Sequence, residues 1–492
     1  MYLRPKETLT DQEVQRGLQL VIGDGLAAEA MTTFTGGAFL VAMALLLGAT
    51  NFQIGLLAGI PTFTNLFQLL SIWLVRRYNN RRAIAVLCSV LARFPLLIVG
   101  TLVLVFATDM SINVIIFFLV FYYFFGSVAG PSWNSWIKDL VPEASMGAYF
   151  SRRSSYTQTL NVVLSFSVAL AVDYIKKHYP AYELFTYAIL FIAGGTIGII
   201  GAFILSMAPE RQSFLARENI FRLLKRPLQD SNFRSLLIFN SAWVFALNIA
   251  TPFFTVFMLK GLGLSLSYII ALSILSQLSS ILTIRVWGLF ADRYSNKTII
   301  FISAPLYILT IFAWCFVGIY TRQYANLILL AIIHIFTGIS TAGVNLSLTN
   351  IGLKLAPSED AVVYLSTKNI ITAFFSSIAP LIGGSLADFF TKRHLVVDAT
   401  WVGPHKQKTL HLVALHDWNF LFLIGALLAI LALELLNLVR EKGEVDKNVV
   451  VRIMRSSIKS NLKDYFLIGN LINWGEHLRQ VIRRRVPGGE RG

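Results

Sequence analysis

The chain has 492 residues, is 55% hydrophobic with a mean hydropathy of +0.65, and carries only 14% charged residues. A soluble protein is less apolar, at about 45–50%, and more charged, so this composition excludes a soluble globular fold and points to an all-α polytopic membrane protein. The net charge of +16 would suggest nucleic acid for a soluble domain. In a membrane chain the same residues set orientation and meet lipid headgroups, which leaves no nucleic-acid partner.

Residues 1–25 carry Arg4, Lys6 and Arg16 without an apolar core, which is not the pattern of a cleavable signal peptide. Thr10 to Glu13 fits a capping box, predicting a short surface helix that leads into the membrane. Apolar runs follow at 26–49, 54–75, 83–107, 114–141, 157–175 and 184–208, each near the length of about 20 residues that crosses the hydrocarbon. Cys88 and Cys315 lie inside apolar runs and read as buried apolar side chains, not as a disulfide framework.

Residues 209–235 break the pattern. Arg211, Arg217, Arg222, Lys225, Arg226 and Arg234 alternate with Phe214, Leu215, Ile220, Phe221, Leu223 and Leu224, as in an amphipathic helix lying on a membrane surface. Six further runs occupy 236–259, 268–291, 298–320, 327–355, 370–390 and 420–439. The expected organisation is therefore an N-terminal segment (1–25), a six-helix bundle (26–208), a basic linker (209–235), a second six-helix bundle (236–439) and a basic amphipathic tail (440–492). Linker and tail would both meet anionic lipid headgroups. A protein-docking site is the alternative role for the tail.

The loops on the side of the N-terminus, with the tail, hold 30 lysines and arginines and the opposite loops 8. The positive-inside rule then puts both termini in the cytoplasm of a multi-pass inner or plasma membrane protein. The two sets of helices also match at an offset of 215 residues: Gly48 aligns with Gly263, and Leu140, Pro142, Tyr149 and Ser151 align with Leu355, Pro357, Tyr364 and Ser366. An internal repeat of six helices follows.

One charged, turn-forming stretch, Trp287 to Lys297, interrupts the second set. Gly288 would let a neighbouring backbone come close, and Asp292 and Arg293 stand where a helix leaves the lipid. In Gly288, Asp292, Arg293 and Lys297 the stretch resembles the signature Gly-x-Leu-x-Asp-Arg-x-Gly-Arg-Lys of the major facilitator superfamily. Phe290, Ser295 and Asn296 depart from it. In the first half Leu74 and Arg77 match, with Arg76 at the aspartate position. The resemblance implies two pseudo-symmetric six-helix bundles and a cavity lined by helices 1, 4, 7 and 10. It also implies a cytoplasmic latch in which Asp292 meets the start of helix 5 near Arg152 and Arg153, while Arg76 approaches Lys368 and like charges oppose closure.

Those four helices independently carry polar or small stripes at helical spacing: Glu29, Thr32, Thr33 and Gly36; Tyr123, Gly126, Gly130 and Asn134; Asn240, Ser241, Asn248 and Thr251; His334, Gly338, Thr341 and Asn345. Lipid does not readily take Asn and His so placed. Gly126 and Gly130 read as a helix-packing contact. Glu29 and His334 are the candidates for proton coupling, against the plainer readings of a hydrated or paired carboxylate and a histidine satisfied by one hydrogen bond. Arg93, deep in the third run, needs a partner, and Gln68 is at comparable depth. Asp388 and Glu434 lie toward helix ends, where capping or snorkelling suffices.

His394, His405, His411 and His416 share one external loop but lack the close spacing of a zinc site, so no metal and no cofactor is expected. No nucleophile and base stand together, so an enzyme is not expected either. The function these observations support is secondary active transport of a small solute, with proton coupling as a hypothesis. A lipid or lysolipid flippase is the alternative within transport, and a non-transporting receptor or scaffold the alternative outside it.

Overall fold

The structure is a computed structural model that describes residues 5–106, 111–142, 145–212, 225–318, 323–357, 361–403 and 407–441. Among them are twelve helices long and apolar enough to cross a membrane. The first six are α1 (Asp11–Leu46), α2 (Asn51–Tyr78), α3 (Arg81–Phe106), α4 (Ile112–Leu140), α5 (Met146–His178) and α6 (Pro180–Ser206). The second six are α7 (Ser231–Gly261), α8 (Leu266–Arg293), α9 (Asn296–Phe316), α10 (Tyr324–Leu355), α11 (Val363–Phe390) and α12 (Asn419–Leu438). The chain is an integral multi-pass membrane protein made of two six-helix halves. Consecutive helices run antiparallel, so their ends alternate between the near face, where α1 begins, and the far face.

The expected capping box forms, with the Glu13 N–H donating to Thr10 Oγ1 at 3.3 Å and the Thr10 N–H to Glu13 Oε2 at 3.0 Å. It does not open a separate surface helix: α1 runs on from Asp11 into the bundle, because Val14, Leu18 and Val21 fall on one side and pack against Trp136, Leu140 and Leu205. Residues 11–25 thus belong to the first helix. Gly48 and Gly263, the pair that marked the repeat, both take positive φ, 76° and 62°. Each sits in the turn before a helix whose first turn is capped by a hydroxyl, Thr50 before α2 and Ser265 before α8.

On the near face each half carries a carboxylate just past its last helix that caps the start of its third. Glu210 accepts from the Arg81 and Arg82 N–H groups at 3.0 and 3.1 Å, and the buried Arg81 guanidinium also reaches Glu210 (3.0 Å) and Asp139 (2.5 Å). Glu441 accepts from the Lys297 N–H (2.7 Å), Asn296 Nδ2 (2.9 Å) and Lys354 Nζ (3.2 Å). Burial alone would raise the Glu441 pKa. The donors, led by the Lys297 N–H, outweigh it and hold the carboxyl below its ordinary value.

The loop before α12 contains an antiparallel hairpin, β1 (His394–Val402) with β2 (Gln407–His416), bulged at Val397/Asp398. His394 pairs in register with His416, ring centroids 6.1 Å apart. His405 lies outside the described residues, as do linker residues 213–224 and the tail from 442 onward, where both surface helices were expected. Among the described residues no three His, Cys, Asp or Glu side chains gather as a metal site would require.

Candidate functional site

Glu29 stands well into its helix. With α1 starting at Asp11, it stands roughly 27 Å along the axis at 1.5 Å per residue. Its Oε1 accepts from Asn161 Nδ2 of α5 at 2.9 Å, and the same amide donates to Thr33 Oγ1 at 3.0 Å. Thr33 Oγ1 itself donates back to the Glu29 carbonyl oxygen at 2.8 Å. The result is a polar junction between α1 and α5. Glu29 Oε2 has no hydrogen bond among the described residues. Thr32, the residue before Thr33, is exposed.

The α4 stripe belongs to the same half. A Cβ on Gly126 or Gly130 would meet nothing within 4 Å, so these glycines border open space and do not form the expected packing contact. Level with them the helix buries a different face, that of Val128, Ser132 and Trp136, against its neighbours. Asn134 is exposed, and Tyr123 lies half-buried beside Tyr122.

In the second half most of the candidate side chains are absorbed by packing. Asn240 is buried and donates to Thr372 Oγ1 of α11 at 2.6 Å, and Asn248 donates to its own helix at the Val244 carbonyl. His334 Nδ1 lies 2.8 Å from the Leu330 carbonyl, and its ring packs edge-on against Trp314 at 5.7 Å. As a proton-coupling candidate it is thus turned into the aromatic packing of its own half, away from Glu29. Gly338 sits hard against the α8 backbone at Ser276, while Asn345 is exposed near the end of α10. The structure therefore joins Glu29 and Thr33 through Asn161, a residue the sequence reading missed because α5 has several polar positions and none is marked by periodicity.

Arg93 has a different partner from the one expected. Its Nη2 lies 3.0 Å from Asp24 Oδ1, and its Nη1 reaches the Gly198 carbonyl of α6. Gln68 instead bonds Asn65 on its own helix at 3.1 Å. Asp24 falls in the segment expected to precede the bundle, where no partner for a deep arginine was expected.

The near-face latch is not made in this state. Asp292 is exposed, and Arg293 lies over the adjacent Tyr294 ring at 5.5 Å. Arg152 bonds Tyr156 within α5 at 2.9 Å, and Arg153 turns inward over Trp133 (5.0 Å) and against Gly25. Lys368 donates to the Leu348 carbonyl of its own half at 2.7 Å, so it is not presented to Arg76. Gly288 meets only Leu346, at an ordinary 3.8 Å, so no close backbone approach requires it. The hydrogen bonds that join the halves cluster at the far face instead: Asp388 with Asn51 and Phe52, Asp173 with Leu266 and Ser267, and Trp418 with Asn51. Behind them α2 and α11 touch backbone to backbone, where a Cβ on Gly55 would run into the Pro380 carbonyl and one on Gly59 would come within 2.6 Å of the Ser377 oxygen.

A family model described as Major Facilitator Superfamily matches residues 25–380 and 238–481. A search of curated proteins finds no matching relative. Among solved structures, the nucleoside transporter NupG superposes with a TM-score of 0.62 at 13% identity, covering 87% of this chain and 100% of that one. A D-xylose–proton symporter superposes at 0.61 with 14% identity, covering 88% and 100%. The xylose transporter XylE from E. coli, in an inward-open conformation, does so at 0.55 with 13% identity, covering 89% and 98%. At these identities the likeness is one of fold.

Proposed function

This chain belongs to the Major Facilitator Superfamily of membrane transporters, and we propose that it moves a small polar solute by alternating access, binding it at the first-half surface around Glu29, Thr32, Thr33, Asn161, Tyr123 and Asn134. The observation that carries this reading is the Asn161 amide bridging Glu29 and Thr33 deep in the bundle. An intramembrane carboxylate with one oxygen uncommitted is costly to keep without a use for it. In the same half α4 offers open space at Gly126 and Gly130, and Asn134 on that helix is exposed.

The lysine and arginine bias supports a near face in the cytoplasm, with both termini there. With the inter-half hydrogen bonds gathered at the far face and the Asp292 latch unmade, this conformer is then the inward-facing one. Glu29 is the group for proton coupling under this reading, since His334 is engaged elsewhere. A thermal-shift panel of solutes on the purified protein identifies the ligand, and flux of that ligand into proteoliposomes under an imposed pH gradient tests coupling. Flux that ignores the gradient would end the proton hypothesis. No solute raising the stability of wild type more than that of Glu29→Gln would end the assignment of the site.

A further inference from the structure

Asp173, near the end of α5, and Asp388, near the end of α11, are separated by 215 positions, the offset of the internal repeat. Their acceptors' partners keep the same offset. Asp388 Oδ1 accepts from the Asn51 N–H (3.0 Å) and Oδ2 from the Phe52 N–H (2.9 Å), while Asp173 Oδ1 accepts from the Leu266 N–H (2.9 Å) and Oδ2 from the Ser267 N–H (2.7 Å). Each carboxylate thus caps the first two residues of a helix that belongs to the other half.

The receiving helices already have caps of their own. Thr50 takes the Gln53 N–H at 3.2 Å and Ser265 the Tyr268 N–H at 3.4 Å. A hydroxyl cap serves one donor and leaves the earlier N–H groups of the first turn unmet. The opposite half meets these with a full negative charge at the positive end of a helix, which is the favourable sign. The near-face carboxylates Glu210 and Glu441 use the same chemistry within one half, so a rocking motion leaves them intact and breaks only the far-face pair.

We propose that Asp173 and Asp388 form a reciprocal two-point latch that holds the far face closed and sets the balance between the inward- and outward-facing states. The latch rests on the alternating-access reading only in requiring that a far-face-open state exists. Opening releases both carboxylates and four backbone N–H groups to water in one rigid-body step. Each point therefore multiplies the closed-to-open ratio independently.

The test uses the full chain in lipid nanodiscs without solute, with spin labels at Lys177→Cys and Tyr324→Cys, exposed far-face positions on opposite halves. Asp173→Ala and Asp388→Ala should each raise the long-distance population by roughly three- to tenfold, and the double variant by about the product. Thr50→Ala and Ser265→Ala, which weaken the same helix ends from within, should lower thermal stability and leave the distances as in wild type. Carboxylate variants that move the distances no more than the hydroxyl variants would overturn the latch. Where an alanine variant does not fold, the asparagine variant, which removes the charge and keeps an acceptor, should shift the distances in the same direction, and an unchanged distribution there also overturns it. Absence of solute flux in wild type together with a shifted distance distribution would instead end the transport reading and leave the latch standing.

Discussion

Asp24 and Arg93 form an ion pair 3.0 Å long whose side chains are only 6% and 7% exposed, inside the first half between α1, α3 and α6. A pair so buried contributes little net stability over a well-packed apolar pair, yet removing one partner strands the other. Asp24→Asn or Arg93→Met alone should each cost about 3–5 kcal/mol, read as a large fall in thermal midpoint. The double replacement should recover most of that loss. Equal damage from single and double variants would mean that the pair acts through something other than charge.

Asn161→Ala removes the donor that holds Glu29 and Thr33 together. Hydrogen bonds to charged groups contribute about 1.5–3 kcal/mol to stability, so the variant should lose about that much stability, and solute affinity should fall as Glu29 loses the donor that fixes it. Titration of the solute found by thermal shift, on both proteins, measures it.

Two glycines on different helices should behave oppositely. Gly126→Ala enters open space and should leave stability within about 1 kcal/mol of wild type or improve it through helix propensity. Gly59→Ala puts a methyl 2.6 Å from the Ser377 carbonyl, and should separate α2 from α11 and widen the far-face distances.

The second half should weaken with acid through Glu441. Its pKa is held below the unfolded value, so its stabilising contribution is complete above the unfolded pKa. That contribution disappears as the pH falls through the lower, folded one. The thermal midpoint of Glu441→Gln should therefore lie below wild type at neutral pH, and the gap should close on acidification.

Asp292 lacks its latch partner here, so Asp292→Asn should not lower the stability of this near-face-open conformer. It should reduce the near-face-closed population in distance measurements. An unchanged balance would remove the residue from the gate.

Local signals made the membrane architecture legible in advance. Run length sets a span, loop charge sets a sidedness expectation, and the 215-residue offset sets the repeat, each acting over a few residues or by simple counting. The polar stripes were equally visible, but their facing was not. Gly126 and Gly338 look alike in sequence, yet one borders open space and the other lies against a carbonyl of α8. Partners were decided by tertiary structure for the same reason. Glu29 and Asn161 are 132 positions apart, and Asp388 caps a helix in the other half. Which side chains meet across such distances depends on how whole helices rotate and tilt to bury apolar surface, and no local pattern encodes that rotation.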